Sequence, residues 1–134
     1  MGIYNKNIRD ESLKATVALP AADGSVTSDD IDLGGDLVAA HGLVEVLVTV
    51  PALTVGELPA GDTLDIVLQN GASAAPTTAL HTFAQLSGSA QGLAETELRC
   101  ALPSSTKRYL NAKITAAGSV ADLSGKDVVL EVLT

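Results

Sequence analysis

The chain has 134 residues, one domain's worth, and a domain of this size buries roughly two-thirds of its unfolded surface. Its 46% of hydrophobic residues describe a folding sequence rather than a disordered one, and its net charge of -8 repels a phosphate backbone. Tyr4, Phe83 and Tyr109 are the only Phe, Tyr or Trp residues, too few to tile a sugar cleft or a single-stranded nucleic-acid groove by stacking.

Residues 1–15 are polar and mixed in charge, with single apolar anchors at Ile3, Tyr4, Ile8 and Leu13. They are expected to form an extended N-terminal arm, followed by one β-sandwich domain over 16–134. A first short strand is expected at 14–19, closed by Pro20 and the Asp23-Gly24 turn signal. A short extended piece follows at 30–33, before Gly34-Gly35 breaks it.

From there the apolar residues recur with period two, as half-buried strands of an antiparallel sheet require. Residues 43–50 run to Pro51, and 63–70 set Leu64, Ile66 and Leu68 on one face. Residues 96–102 set Leu98, Cys100 and Leu102 opposite Glu97 and Arg99. Residues 108–115 are expected to bury Leu110, Ala112 and Ile114 and to show Tyr109, Asn111, Lys113 and Thr115. A last strand is expected over 126–134. Turn-rich connectors at 51–62, 71–82, 87–92 and 116–125 separate them. The pattern is that of an all-β protein: an antiparallel β-sandwich, jelly-roll-like.

Two strands are apolar in both phases. In 43–50, Val44, Val46, Val48 and Val50 oppose Leu43 and Leu47; in 126–134, Val128, Leu130 and Val132 oppose Val129 and Leu133. A solvated outer face has no need of Leu47, Val129 and Leu133. Either loops cover that face or another subunit does.

Chemistry is harder to find. Cys100 is the only cysteine, so neither an internal disulfide nor a thiolate zinc cluster can form within one chain, and its phase reads as a buried small hydrophobe. Asp29, Asp30, Asp32 and Asp36 form an acidic run that faintly resembles an oxygen-rich cation loop but lacks the EF-hand spacing, and an acidic solvated loop explains it as well. His41 and His81 stand in no metal or triad motif. The expectation is therefore no catalysis, no cofactor, no metal and no nucleic acid. No apolar run has signal-peptide or membrane-spanning length, so a protein made in a cytoplasm and bound to no membrane is expected. Lys107-Arg108 is the one adjacent basic pair; it opens a strand, and Arg108 is expected to bond an acidic loop or loop carbonyls with Tyr109 packed beside it.

Over residues 26–134 the order of segments resembles the small capsid cement (decoration) proteins of tailed bacteriophages. The resemblance rests on "IDLGGDL", a Val-rich first long strand, "AGDTLDIVLQNGASAAPTTAL", "LPSSTKRYLNAKITAAG" and a hydrophobic strand at the C-terminus. It implies a jelly-roll sandwich on the outside of an expanded HK97-type shell, bridging neighbouring major capsid protein subunits, with a homodimer favoured and a trimer next. On that reading Ile3, Tyr4, Ile8 and Leu13, with Leu47, Val129 and Leu133, are the expected capsid or subunit contacts, and Lys107, Arg108 and Tyr109 mark a loop-strand junction. The competing readings are a ligand- or glycan-binding β-sandwich, a metal-dependent enzyme using the acidic run with His41, and a tail or baseplate component.

Overall fold

A computed structural model describes residues 9–34, 44–103, 105–118 and 122–133 of the chain, the side chains from Leu13 onward. These residues form β1 (Arg9–Ala18), β2 (Gly24–Thr27), β3 (Ile31–Asp32), β4 (Glu45–Val50), β5 (Thr63–Gly71), β6 (Thr78–Thr82), β7 (Leu86–Ser87), β8 (Thr96–Ala101), β9 (Tyr109–Ala117) and β10 (Asp127–Leu133). Among the described residues there is no helix.

One sheet has the order β1-β10-β4-β8; the other has β2-β9-β5-β6, with β3 also on β9 and β7 on β5. Every pairing is antiparallel. The order follows from folding one long hairpin and rolling it. Its rungs are β1 with β10, β2 and β3 with β9, β4 with β8, and β5 with β6 and β7. Rolling then brings β10 beside β4 and β9 beside β5, which closes the two sheets face to face. That is a jelly roll.

The core lies between the sheets and is aliphatic. Val46, Val48 and Val50 of β4 and Val128, Leu130 and Val132 of β10 face Leu64, Ile66 and Leu68 of β5 and Leu110, Ala112 and Ile114 of β9. Leu130 stands opposite Val48 and Ile66 opposite Ile114, so the inner rows of neighbouring strands coincide.

Some expectations need correction. β1 starts at Arg9 rather than within 14–19, so its pairing with β10 reaches into the stretch read as an arm. A register shift between Arg9 and Lys14 accommodates the charged start of the strand. β6 occupies part of a stretch read as a connector. Asn111 is buried, not displayed, and Cys100 is only half-buried, in a strand that is a sheet edge among the described residues.

Candidate functional site: a polar corner of the sandwich

The basic pair and the acidic run meet where β9 begins. β3 is only two residues long, yet it is firmly seated: Ile31, buried, pairs with Leu110, and Asp32 pairs with Tyr109. Burying Ile31 leaves Asp30 and Asp32 on the opposite side of the strand, the alternation that puts both carboxylates toward neighbouring loops. Leu33 N–H donates to the Arg108 carbonyl at 2.9 Å, tying the two segments by backbone as well.

Asp32 accepts from Arg108 Nε at 2.8 Å on Oδ1 and from the second guanidinium nitrogen at 2.9 Å on Oδ2. Gly34 N–H adds a bond to Oδ1 at 2.8 Å, from a glycine at φ 84° that a Cβ would disfavour. The Arg108 bonds, and after them the Gly34 amide, lower the Asp32 carboxyl to about 2. In return the carboxylate raises the Arg108 guanidinium above its ordinary range. The guanidinium carbon lies 5.1 Å from the Tyr109 ring centroid, within cation–π reach.

Asp30 holds the adjoining loop. Its Oδ2 accepts from Ala75 N–H at 2.6 Å and its Oδ1 from Asn111 Nδ2 at 3.2 Å. Asn111 Nδ2 also donates to the Pro76 carbonyl at 3.2 Å, and Gln69 Nε2 to the Thr77 carbonyl at 3.3 Å. The loop after β5 is thus drawn down over the outer face of β9, which is why a residue in the outward phase is buried. Ala75 sits at φ 56°, a left-handed conformation unfavourable for a residue with a Cβ, and the Asp30 bond fixes it there. Lys107 N–H donates to Asn70 Oδ1 at 2.8 Å, adding the loop before β9 to the same network.

This corner is a positioning device. The Arg108 fork is spent on Asp32 and the Asp30 carboxylate on Ala75 and Asn111, so these groups lock three loops rather than attack, protonate or ligate. Among the described residues, no three His, Cys, Asp or Glu side chains come together as a metal site would need, and Asp36 and His41 lie outside those residues. Burial raises the Cys100 thiol, which leaves little thiolate at neutral pH. At 52–54, Ser89, 91–94 and Lys126 an open groove of about 530 Å³ is present, but the Lys126 ammonium is engaged with the Ala52 carbonyl at 2.9 Å and Glu57 at 3.0 Å.

Lys107, Arg108 and Tyr109 are therefore gathered at this corner, whereas the expected contact residues are not. Ile3, Tyr4 and Ile8 lie outside the described residues. Leu13, in β1, packs half-buried against the core. Leu47 and Leu133 point away from the core and are only 1% and 7% exposed. Of that outer-face group only Val129 is partly open. Asp30 belongs to the acidic run visible in the sequence, whereas Asn70 and Asn111 carry no functional signal there.

No family model matches the chain, and no curated protein does. Solved structures match in fold. A carbohydrate-binding module, CBM27-1 of Caldicellulosiruptor saccharolyticus in complex with mannohexaose, aligns with a TM-score of 0.50 and 12% identity over 90% of this chain and 71% of that one. The naturally empty particle of cowpea mosaic virus aligns at 0.44 and 10% identity, over 89% and 78%. The CBM22-1 xylan-binding domain of Paenibacillus barcinonensis Xyn10C aligns at 0.43 and 10%, over 93% and 94%. At such identities the likeness is one of architecture. The class of protein that fold and corner define is an all-β jelly-roll sandwich with an internally braced loop end.

Proposed function

We propose that the chain is a capsid cement protein: a non-enzymatic virion component that binds the outside of an expanded HK97-type phage head and bridges neighbouring major capsid protein subunits. The observation that carries this reading is a convergence. The stretches on which the sequence resemblance rests, 31–37, 60–80 and 102–118, are far apart in the chain, yet Asp32–Arg108 bonds the first to the third and Asn70–Lys107 the second to the third, with Asp30, just before the first stretch, adding bonds to Ala75 and Asn111. Asp32, Asn70, Lys107 and Arg108, which keep company at this corner, all lie within the stretches that carry the resemblance.

The mechanism is linkage. A protein that binds the assembled shell and not its separated subunits stabilises the shell by mass action, and many copies multiply modest contacts. Ile3, Tyr4 and Ile8 are the apolar residues we assign to the capsid contact. Because β1 begins at Arg9, the deletion that tests them is confined to residues 2–8, which spares the β1–β10 pairing.

Co-sedimentation with expanded, undecorated heads of the parent phage, with unexpanded shells alongside, tests the proposal. Saturable binding to expanded heads only is the expected result; binding to neither overturns it. A glycan array decides the alternative. Among the described residues a sugar platform has little to build on: Phe83 is buried, and Tyr109 lies beside the Arg108 guanidinium.

A further inference from the structure

An unpaired sheet edge is a template for another strand, and proteins usually blunt it with bulges, short strands or charges of one sign. Three edges here are blunted. β1 has its register shift between Arg9 and Lys14, the β5–β6 pairing has one between Leu68 and Gln69, and β2 is four residues long. β8 is different. It pairs with β4 without a shift from Glu45 opposite Ala101 to Val50 opposite Thr96, and it has no second neighbour among the described residues.

The phase of its hydrogen bonds is fixed. Leu102 N–H donates to the Val44 carbonyl at 2.8 Å, so in the continuing ladder Thr96, Leu98 and Cys100 direct their backbone groups to β4. Glu97, Arg99 and Ala101 direct theirs to the open side. On that edge Glu97 and Arg99 are exposed, and Leu98 and Cys100 are only partly covered although they pack against the core.

We infer that β8 is a homodimer edge, pairing antiparallel with β8 of a second copy about a two-fold axis through Leu98. Charge selects the register. Centring the pair on Glu97 sets two Glu97 carboxylates opposite one another, and centring it on Arg99 sets two guanidiniums opposite one another; both are unfavourable. Centring it on Leu98 sets Glu97 opposite the partner's Arg99, and Arg99 opposite the partner's Glu97. The same register joins outward backbone groups to outward backbone groups, since Glu97 and Arg99 share a hydrogen-bonding phase. On the core side, Leu98 meets the partner's Leu98 and Thr96 meets the partner's Cys100, covering the half-open rim of the core. Opposite charges two residues apart are self-complementary under this symmetry, unlike the single-sign charges that protect an edge. The inference stands independently of the capsid reading.

Sedimentation equilibrium on the full chain, with Arg99→Glu, Glu97→Arg and the exchange Glu97→Arg/Arg99→Glu, tests it. The expected result is a wild-type dimer, weakened at least about tenfold by either single reversal and restored by the exchange. Thermal melts of the same variants check that the fold is retained. Position 98 tests geometry directly. A non-hydrogen-bonded pair has Cα atoms about 4.5 Å apart, inside disulfide range, so Leu98→Cys in a Cys100→Ser background should oxidise to a covalent dimer. Wild-type Cys100 should not, because this register holds it about 14 Å from the partner's Cys100. A monomer at high micromolar concentration, a dimer indifferent to Arg99→Glu, failure of the exchange to restore it, or no crosslink through position 98 each overturns the inference.

Discussion

Arg108 closes on Asp32 through two parallel hydrogen bonds, Nε to Oδ1 at 2.8 Å and the second guanidinium nitrogen to Oδ2 at 2.9 Å, joining residues 76 apart in the chain. Both side chains remain about half exposed, so the pair acts as a geometric clasp on two loops more than as a large source of stability. An Arg fork matches a carboxylate in a way an ammonium does not. Arg108→Lys should therefore keep the charge and lose the clasp.

The clasp has a definite pH signature. Asp32 is lowered from its ordinary 3.8 to about 2 by the Arg108 and Gly34 bonds. A depressed carboxyl contributes stability that is fully present above its unfolded value and is lost as pH falls through its folded value. Wild type should therefore exceed Asp32→Asn in melting temperature by a constant, small margin at neutral pH. The gap should narrow below pH 3.8 and close near pH 2, as thermal melts across that range would record. A gap that stays constant into acid would mean that Asp32 does not act as a carboxylate here.

Asn111 is the more costly residue to remove. It is 1% exposed, and its Nδ2 serves both Asp30 and the Pro76 carbonyl. Asn111→Ala leaves the buried Pro76 carbonyl and the part-buried Asp30 carboxylate without their donor, and should cost about 1–3 kcal/mol in chemical denaturation. Asn111→Asp should be worse at neutral pH, because it sets a second carboxylate against Asp30. The difference between the two variants should shrink in acid.

The contrast between these two residues shows what the sequence discloses. β4, β5, β8, β9 and β10 were legible to within a residue or two, β5, β8 and β9 by alternation and β4 and β10 as near-continuous apolar runs. β2 and β6 were not. "GSVT" and "TALHT" are mostly exposed, so they carry no buried face, and they become strands only because β9 and β5 offer them a partner. The start of β1 is charged, and its long-range pairing with β10 overrides that local signal. At the corner, a lone basic pair and an acidic run are visible as complementary charges, but spacing cannot say which aspartate meets Arg108. Asn111 was assigned to the surface by alternation, correctly as to its direction. It is buried by a loop whose path depends on Asp30, some eighty residues earlier, and periodicity along one strand holds no such information.

Close backbone approach sets a further test. Gly92 lies at φ +81°, and a Cβ built there would stand 2.2 Å from the Leu53 carbonyl oxygen, where Leu53 and Leu93 exchange backbone bonds. Backbone cannot yield as a flexible side chain would. Gly92→Ala should destabilise by more than about 2 kcal/mol, through left-handed strain and the clash together. Gly125→Ala is the control: nothing lies within 4 Å of a Cβ there, and it should leave the melting temperature nearly unchanged.

Leu47 decides what the surplus apolar surface of β4 is for. It points to the outer face in a row that runs Lys14, Glu131, Leu47, Arg99 across the sheet, and yet it is 1% exposed. If that face were reserved for a partner, Leu47 would be open in the single chain. Its burial is that of a residue in the fold's own packing. Leu47→Ala should accordingly behave as a core truncation, losing about 2–5 kcal/mol regardless of protein concentration. Its dimer constant, measured well below the melting temperature, should not move. A variant with unchanged stability and weakened self-association would return this face to the role of an interface.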